Sequence, residues 1–215
     1  MTLLTAVMDD IPIQTQPYLP LDRGQRIAKR ITDLVVAIFL LVLTTPLMLL
    51  VAIAIRCDSP GAVFYKQERV GYRGRRFQVL KFRSMVTNAE KEGIAIWATE
   101  QDPRTTRLGR LIRLMRIDEL PQLINVIRGE MSIVGPRPER PYFVAKFSQT
   151  YPGYAARHRM QTGITGLAQV HGLRGDTSIE DRCRFDNAYI DNWSMWQDIC
   201  ILLRTAAALV RPTGS

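Results

Sequence analysis

Hydrophobic and polar positions divide the chain into stretches of different period. Residues 1–22 hold three prolines and no period, which predicts a poorly ordered N-terminal arm. That arm opens with acids rather than a basic segment, so it does not read as a secretory signal. The 22 residues from Leu34 to Ile55 carry no charge. As a helix they are long enough to cross a hydrocarbon core of about 30 Å, the plainer alternative being a buried helix of a soluble protein. Next, Ala62–Val70 and Arg76–Met85 read as two strands joined through Gly71–Gly74. Residues 86–106 are polar and irregular, with a short helix around Asn88–Gly93. From Thr105 the period becomes helical, with Leu108, Leu111, Ile112 and Met115 forming one apolar stripe. Leu120–Gly129 reads as the next helix, with Pro121 in its first turn and Asp118 as its N-cap. Thr177–Glu180 has the form of a capping box opening another helix. The tail carries Trp193 and Trp196 beside an apolar run, which fits either an interfacial helix or a core helix.

Charge changes the reading of the apolar run. Arg23, Arg26, Lys29 and Arg30 precede it, and Arg56, Lys66, Arg69, Arg73, Arg75 and Arg76 follow it. Basic residues mark the cytoplasmic end of a membrane helix, and here both ends qualify. Pro46 sits mid-run after Thr44 and Thr45; proline removes a helical hydrogen bond, and a threonine hydroxyl can bond a nearby carbonyl. The expectation is a re-entrant helix over 23–57, broken at Thr45-Pro46, that holds a domain of residues 58–215 against the cytoplasmic face. A bitopic helix with a tolerated proline is the alternative. The fold class expected is α+β and mostly helical, with a short β-hairpin and interfacial amphipathic helices.

Composition sets the chemistry. Hydrophobic residues are 47% and charged residues 23%, which excludes a disordered chain and a polytopic membrane protein. Lys and Arg number 29 against 20 Asp and Glu, a net charge of +9 that favours a polyanionic or phosphorylated partner. Cys57, Cys183 and Cys200 are too few and too scattered for a zinc site or a disulfide scaffold. His158 and His171 read as structural or surface residues.

Four arginines recur at Arg107, Arg110, Arg113 and Arg116 and run into Asp118-Glu119. A plain reading gives a solvated face and a capping aspartate. The chemical reading gives phosphate contacts beside a carboxylate that the arginines and a helix dipole keep ionised. Such a carboxylate is a nucleophile, and Glu119 could hold Mg²⁺. Pro136, Pro138 and Pro141 stiffen a loop that presents Arg137 and Arg140 as a guanidinium clamp. Thr162–Gly166 is a small-residue loop able to approach a ligand, without the spacing of a P-loop or a dinucleotide fingerprint.

Five segments, in order, carry a resemblance: KRITDLVVAIFLLVLTTPLMLL, SPGAVFYKQERVGYRGRRFQVLKFRSM, RIDELPQLINVIRGEMSIVGPRPER, GITGLAQVHGLRGDT and YIDNWSMWQDICILLRT. From about Arg26 to Val210 the chain resembles the bacterial sugar transferases of the monotopic phosphoglycosyl transferase superfamily. The resemblance implies transfer of a sugar-1-phosphate from a UDP-sugar to undecaprenyl phosphate, with release of UMP, as the first step of exopolysaccharide, capsule or O-antigen assembly. It implies Asp118 as the nucleophile of a covalent phosphosugar intermediate, Glu119 as a ligand of Mg²⁺, and Arg113 and Arg137 (between Pro136 and Pro138) as phosphate contacts. It implies location at the cytoplasmic face of the bacterial inner membrane, and a re-entrant break that falls on Thr45-Pro46 where the family has Ser-Pro. The family's basic-Pro-Gly-Ile-Thr-Gly-Trp segment reads Gln161 to Leu167 here, without the basic residue, proline or tryptophan. Larger members add an N-terminal transmembrane bundle and a soluble domain, and the expectation is that this chain corresponds to their bare catalytic unit. Nucleic acid is not an expected partner, because it gives Asp118-Glu119 no role. A membrane-tethered binding or scaffold module without turnover is the rival function. The sugar is not legible, and a homodimer is left open.

Overall fold

The computed structural model describes residues 21–87, 89 and 102–210. The expected arm over 1–22, apart from its last two residues, and the short helix around Asn88–Gly93, apart from Ala89, lie outside these. Helix α1, Arg23–Asp58, starts in a capping box: the Asp22 carboxylate accepts from the Gln25 amide at 2.8 Å, and the Gln25 side chain accepts from the Asp22 amide at 3.0 Å. It runs unbroken through Pro46. The expected break at Thr45-Pro46 is therefore not a departure from the helix. The Thr44 and Thr45 hydroxyls bond back to the Leu40 and Leu41 carbonyls at 2.7 and 2.6 Å, within the same helix. Among the described residues α1 is the one helix long and apolar enough to cross a membrane.

A hairpin follows: β1, Phe64–Val70, pairs antiparallel with β2, Arg76–Phe82, in register Phe64↔Phe82 to Val70↔Arg76. Arg73 and Gly74 turn its tip with positive φ. β2 stops at Phe82 instead of reaching Met85, because helix α2, Arg107–Leu114, packs there: a Cβ on Gly109 would lie 1.9 Å from the Ser84 carbonyl oxygen. The apolar stripe of α2 is not all core. Ile112 is buried and Leu108 packs beside it, but Leu111 and Met115 are more than half exposed. This short helix leans one edge on Val51, Ile55 and Phe82 and turns its other apolar side chains outward.

Helix α3, Gln122–Arg128, ends at left-handed Gly129. β3, Ser132–Val134, pairs in parallel with β4, Gly163–Thr165. Between them come α4, Pro141–Thr150, and a 3-10 turn, Tyr154–Arg159; α5, Leu167–Val170, α6, Ile179–Asp191, and α7, Met195–Val210, complete the mostly helical order. The N-cap of α6 is Ser178, which accepts from the Asp181 amide, one residue later than the expected Thr177 cap; Thr177 accepts from Arg182 instead. One side of α7 is core, with Asp198 and Ile201 buried, while Trp196 and Leu203 on its other side are exposed.

The main core joins α1, β2, α3, β3, α6 and α7, including Ala37, Val79, Val126, Ile133, Tyr189 and Ile201. The N-terminal part of α1 is fastened to it by charge. Lys29 donates to Asp198 at 2.7 Å and to the Val134 carbonyl at 3.0 Å, and Arg30 caps the α3 carbonyls of Val126 and Ile127 at 2.6 and 2.8 Å. The C-terminal part, Val51 and Ile55, packs on Phe82 and Ile112.

Candidate active site

The acid pair sits where two helices meet. Arg116 adopts a left-handed conformation, φ 57°, that ends α2 and lets Ile117–Glu119 form a 3-10 turn leading into α3. This corrects the expected role of Asp118 as an N-cap: the α3 cap position is Pro121, with no side-chain hydrogen bond. The Asp118 carboxyl is released from capping, and it is buried.

Two elements converge on its neighbour. Lys81 of β2 donates to Glu119 Oε1 at 2.9 Å. Arg137, from the loop after β3, donates Nη2 to the same oxygen at 2.5 Å and Nη1 to Oε2 at 3.3 Å. Lys81 went unnoticed in the sequence, though it had a signal. It shares a strand face with Phe77 and Val79, and Val79 is core, so a lysine there requires an anion. Arg113, in the last turn of α2, donates to the Thr105 hydroxyl at 3.1 Å and acts on Asp118 through its charge.

The two carboxyls titrate oppositely. Burial, with Glu119 adding, pushes Asp118 up to about 6 against the pull of Lys81, Arg113 and Arg137. It is still mostly ionised at pH 7, but its pKa moves opposite to the way expected from the arginines. Burial acts to raise Glu119 too, yet Arg137 and Lys81 outweigh it and hold that carboxyl well below the usual range. Burial also depresses Lys81, opposed by Glu119. Arg174, absent from the sequence reading, is pushed down to about 10 by burial and by the nearby charges of Arg116 and Arg137. Cations outnumber acids here, so the site is built for a further anion.

Pro136 and Pro138 flank Arg137 as expected, and the Thr162–Gly166 segment packs against the backbone just before them. A Cβ on Gly163 would stand 2.1 Å from the Gly135 amide nitrogen, and one on Gly166 would stand 2.3 Å from the Gly135 carbonyl oxygen. A side chain at either glycine would displace this backbone contact. Thr45 and Pro46 lie in the middle of α1, apart from the acid pair's partners. Cys183 is buried against Val70, Val144 and Tyr154, and burial pushes His158 down to about 3, so neither supplies reactive chemistry here.

Among the described residues no three His, Cys, Asp or Glu side chains gather into a metal cage. The donors that exist are two adjacent carboxylates. Hard oxygen ligands of that number suit Mg²⁺, which takes one or two carboxylates and completes its shell with substrate phosphates and water. Of the two Glu119 oxygens, Oε2, with one long contact, is the less engaged by the cations.

The family model described as Bacterial sugar transferase matches residues 24–212. Over 200 residues the chain is 45% identical to a UDP-glucose:undecaprenyl-phosphate glucose-1-phosphate transferase of Caulobacter vibrioides, covering 91% of this chain and 74% of that protein. It is 41% identical over 202 residues to a protein of the same name from Escherichia coli, covering 92% of this chain and 43% of that one. Over 189 residues it is 43% identical to a UDP-N-acetylgalactosamine-undecaprenyl-phosphate N-acetylgalactosaminephosphotransferase of Aeromonas hydrophila, covering 87% of this chain and 44% of that one. The chain thus spans less than half the length of two of these relatives. All three relatives are named as undecaprenyl-phosphate sugar phosphotransferases, two for glucose and one for N-acetylgalactosamine.

Proposed function

The chain belongs to the bacterial sugar transferase family, and from that membership and the geometry of its acid pair we propose that it transfers a sugar-1-phosphate from a UDP-sugar to undecaprenyl phosphate. The observation that carries the reading is a buried, uncapped Asp118 beside a Glu119 pinned by Lys81 and Arg137, in a surplus of positive charge. Asp118 attacks the β-phosphorus of the donor. The bond from that phosphorus to the bridging oxygen breaks and UMP leaves with the electron pair, while the phosphosugar stays on the carboxyl oxygen. An oxygen of the lipid phosphate then attacks the same phosphorus and returns Asp118 as a carboxylate. Arg137, Arg113 and Lys81 stabilise the charge that spreads over the phosphoryl oxygens. Glu119 would hold Mg²⁺ against the donor's diphosphate, and the ion would supply further charge neutralisation there.

The membrane reading is that α1 enters and leaves on the cytoplasmic side of the inner membrane. Its support is packing more than flank charge. One domain grips both ends of α1: Lys29, Arg30 and Asp33 at the start, Val51 and Ile55 toward the finish. These contacts span about 26 residues, roughly 39 Å of helix. β2 alone reaches from the Ala37 cluster, through Val79, to the Ile55 cluster, through Phe82. A transverse α1 would carry that charged hairpin through hydrocarbon. Between the grips Val42, Leu43, Leu49 and Leu50 are exposed and offer a face to lipid.

The test is UMP release from a panel of UDP-sugars, with Mg²⁺ and undecaprenyl phosphate. One sugar should support turnover, and without acceptor an intact-mass gain of one sugar phosphate should appear on Asp118. Turnover with no such adduct would replace the two-step route by direct attack of the lipid phosphate.

A further inference from the structure

The loop that carries Arg137 is held in a way that the reaction chemistry alone does not require. Four successive carbonyl oxygens, Pro136 to Glu139, each accept a hydrogen bond, and each donor comes from elsewhere in the chain. The Gly163 amide donates to Pro136 at 2.9 Å, Arg157 Nη2 to Arg137 at 2.9 Å, Arg69 Nη1 to Pro138 at 3.1 Å, and the Val70 amide to Glu139 at 2.9 Å. The reason is written in the sequence. Pro136 and Pro138 have no N–H, so this loop is anchored through its acceptors, and outside donors must reach them.

Two of those donors are guanidiniums, Arg157 buried and Arg69 partly so, and each is matched to an acid. Arg157 pairs with Asp186 at 2.6 Å, both side chains 3% exposed, and also donates to the Tyr154 hydroxyl at 2.7 Å. Arg69 pairs with Glu139 at 3.1 Å, and Arg182 stands 3.6 Å from the other oxygen of that carboxylate. Buried ion pairs are poor sources of stability, since well-packed apolar residues often do as well or better. What the Arg157–Asp186 pair supplies is direction. Arg157 Nη2 donates to both Asp186 and the Arg137 carbonyl while Nη1 is held by the Tyr154 hydroxyl, so the main chain of Arg137 is fixed from behind while its side chain meets Glu119 in front.

We infer that Arg157, seconded by Arg69, is a positioning residue: it holds the Arg137 backbone so that the Arg137 guanidinium meets the donor's diphosphate. This rests on the phosphoglycosyl transfer proposed above. It also accounts for a buried cation that touches neither Asp118 nor Glu119 in any hydrogen bond.

A double-mutant cycle on the full-length protein tests it, with Arg157→Lys, Arg137→Lys and the pair. The readouts are affinity for UDP, as a probe of the diphosphate, and kcat/KM with the accepted UDP-sugar. Lysine at 157 keeps a charge for Asp186 but loses the planar guanidinium that reaches the Tyr154 hydroxyl on one nitrogen and the Arg137 carbonyl and Asp186 on the other. Each single change should weaken UDP binding by about tenfold, and the pair should be no worse than Arg137→Lys within about twofold. Losses that multiply would overturn the inference, because a residue that merely supports the fold has no reason to fall silent when Arg137 is already altered. If Arg157→Lys does not fold, Arg69→Gln enters the same cycle, since Arg182 still faces Glu139; there too, silence in the Arg137→Lys background supports the inference and additivity overturns it. Coupled UDP affinities in a wild type that transfers no sugar would keep the positioning role and sink the reaction. Turnover with additive losses would do the reverse.

Discussion

Asp118 and Glu119 are chain neighbours with opposite obligations, and substitutions should separate them. Asp118 has its pKa raised from 3.8 to about 6, chiefly by burial. Between those values the folded protein holds a proton that the unfolded chain releases, so stability falls as pH rises through this window. Asp118→Asn should therefore abolish turnover and yet stabilise the protein above pH 6, by on the order of 2–3 kcal/mol. The gain should vanish near pH 4, and thermal melts at pH 4 and pH 8 would show it. In wild type, kcat/KM should rise from pH 5 to 7 with an inflection near 6, because the nucleophile is the ionised form. Glu119→Gln should do the opposite to stability. It strands Lys81 and Arg137 without their shared anion, at a cost of about 3 kcal/mol, and an unchanged melting temperature would contradict that accounting. The acid pair, Arg113 and Arg137 were legible in the sequence as a motif in order. The network beneath them was not, because Arg69, Arg157, Asp186 and Glu139 are distant in sequence and meet only when the Pro136–Pro138 loop folds back over β1 and α6.

At the level of elements, α1 shows how one residue type can serve two ends. The basic cluster before the apolar run reads as a topology signal, but two of its four members are structural: Lys29 is buried on Asp198, and Arg30 caps α3. Lys29→Met should lower stability by about 3–5 kcal/mol, because Asp198 keeps its charge without its cation. Adding Asp198→Leu should restore much of that loss, and chemical-denaturation curves on the two variants would check both. Local signals were sound where they depended on spacing. The hairpin, the α2–α3 succession and the proline-stiffened loop all lie where periodicity and turn residues put them. They failed where tertiary contacts decide. Leu111 and Met115 satisfy a helical stripe, but an eight-residue helix has a core on one edge only. Asp118 lost its cap because left-handed Arg116 diverted the chain first. For topology, cysteines placed at Gln25 and Ala62 in a Cys57→Ser background should both label from the cytoplasmic side. Labelling of one from each side would make α1 a crossing helix and leave its two grips unexplained.

On the scale of the whole molecule, the net charge of +9 and the apolar face of α1 are separate instruments, and salt tells them apart. Exposed Leu43, Leu49, Leu50 and Ile53, with Trp196 and Leu203 on α7, face away from the core, and contact with hydrocarbon is favourable at any ionic strength. The surface cations of the α2 segment act differently. Arg107, Arg110 and Arg116 are exposed, so their pull on a nucleotide diphosphate is set by screening. The Debye length shrinks from about 10 Å at 0.1 M to about 3 Å at 1 M. Raising NaCl over that range should therefore weaken KM for the UDP-sugar several-fold, while washing with the same salt should leave the protein with the membrane fraction. Buried contacts at the acid pair are screened much less, so kcat at saturating donor should change little. Release of the protein by 1 M salt would mean that charge, not α1, holds it to the bilayer. A KM indifferent to salt would mean that Arg107, Arg110 and Arg116 serve solubility alone, leaving donor capture to Arg113, Arg137 and Lys81.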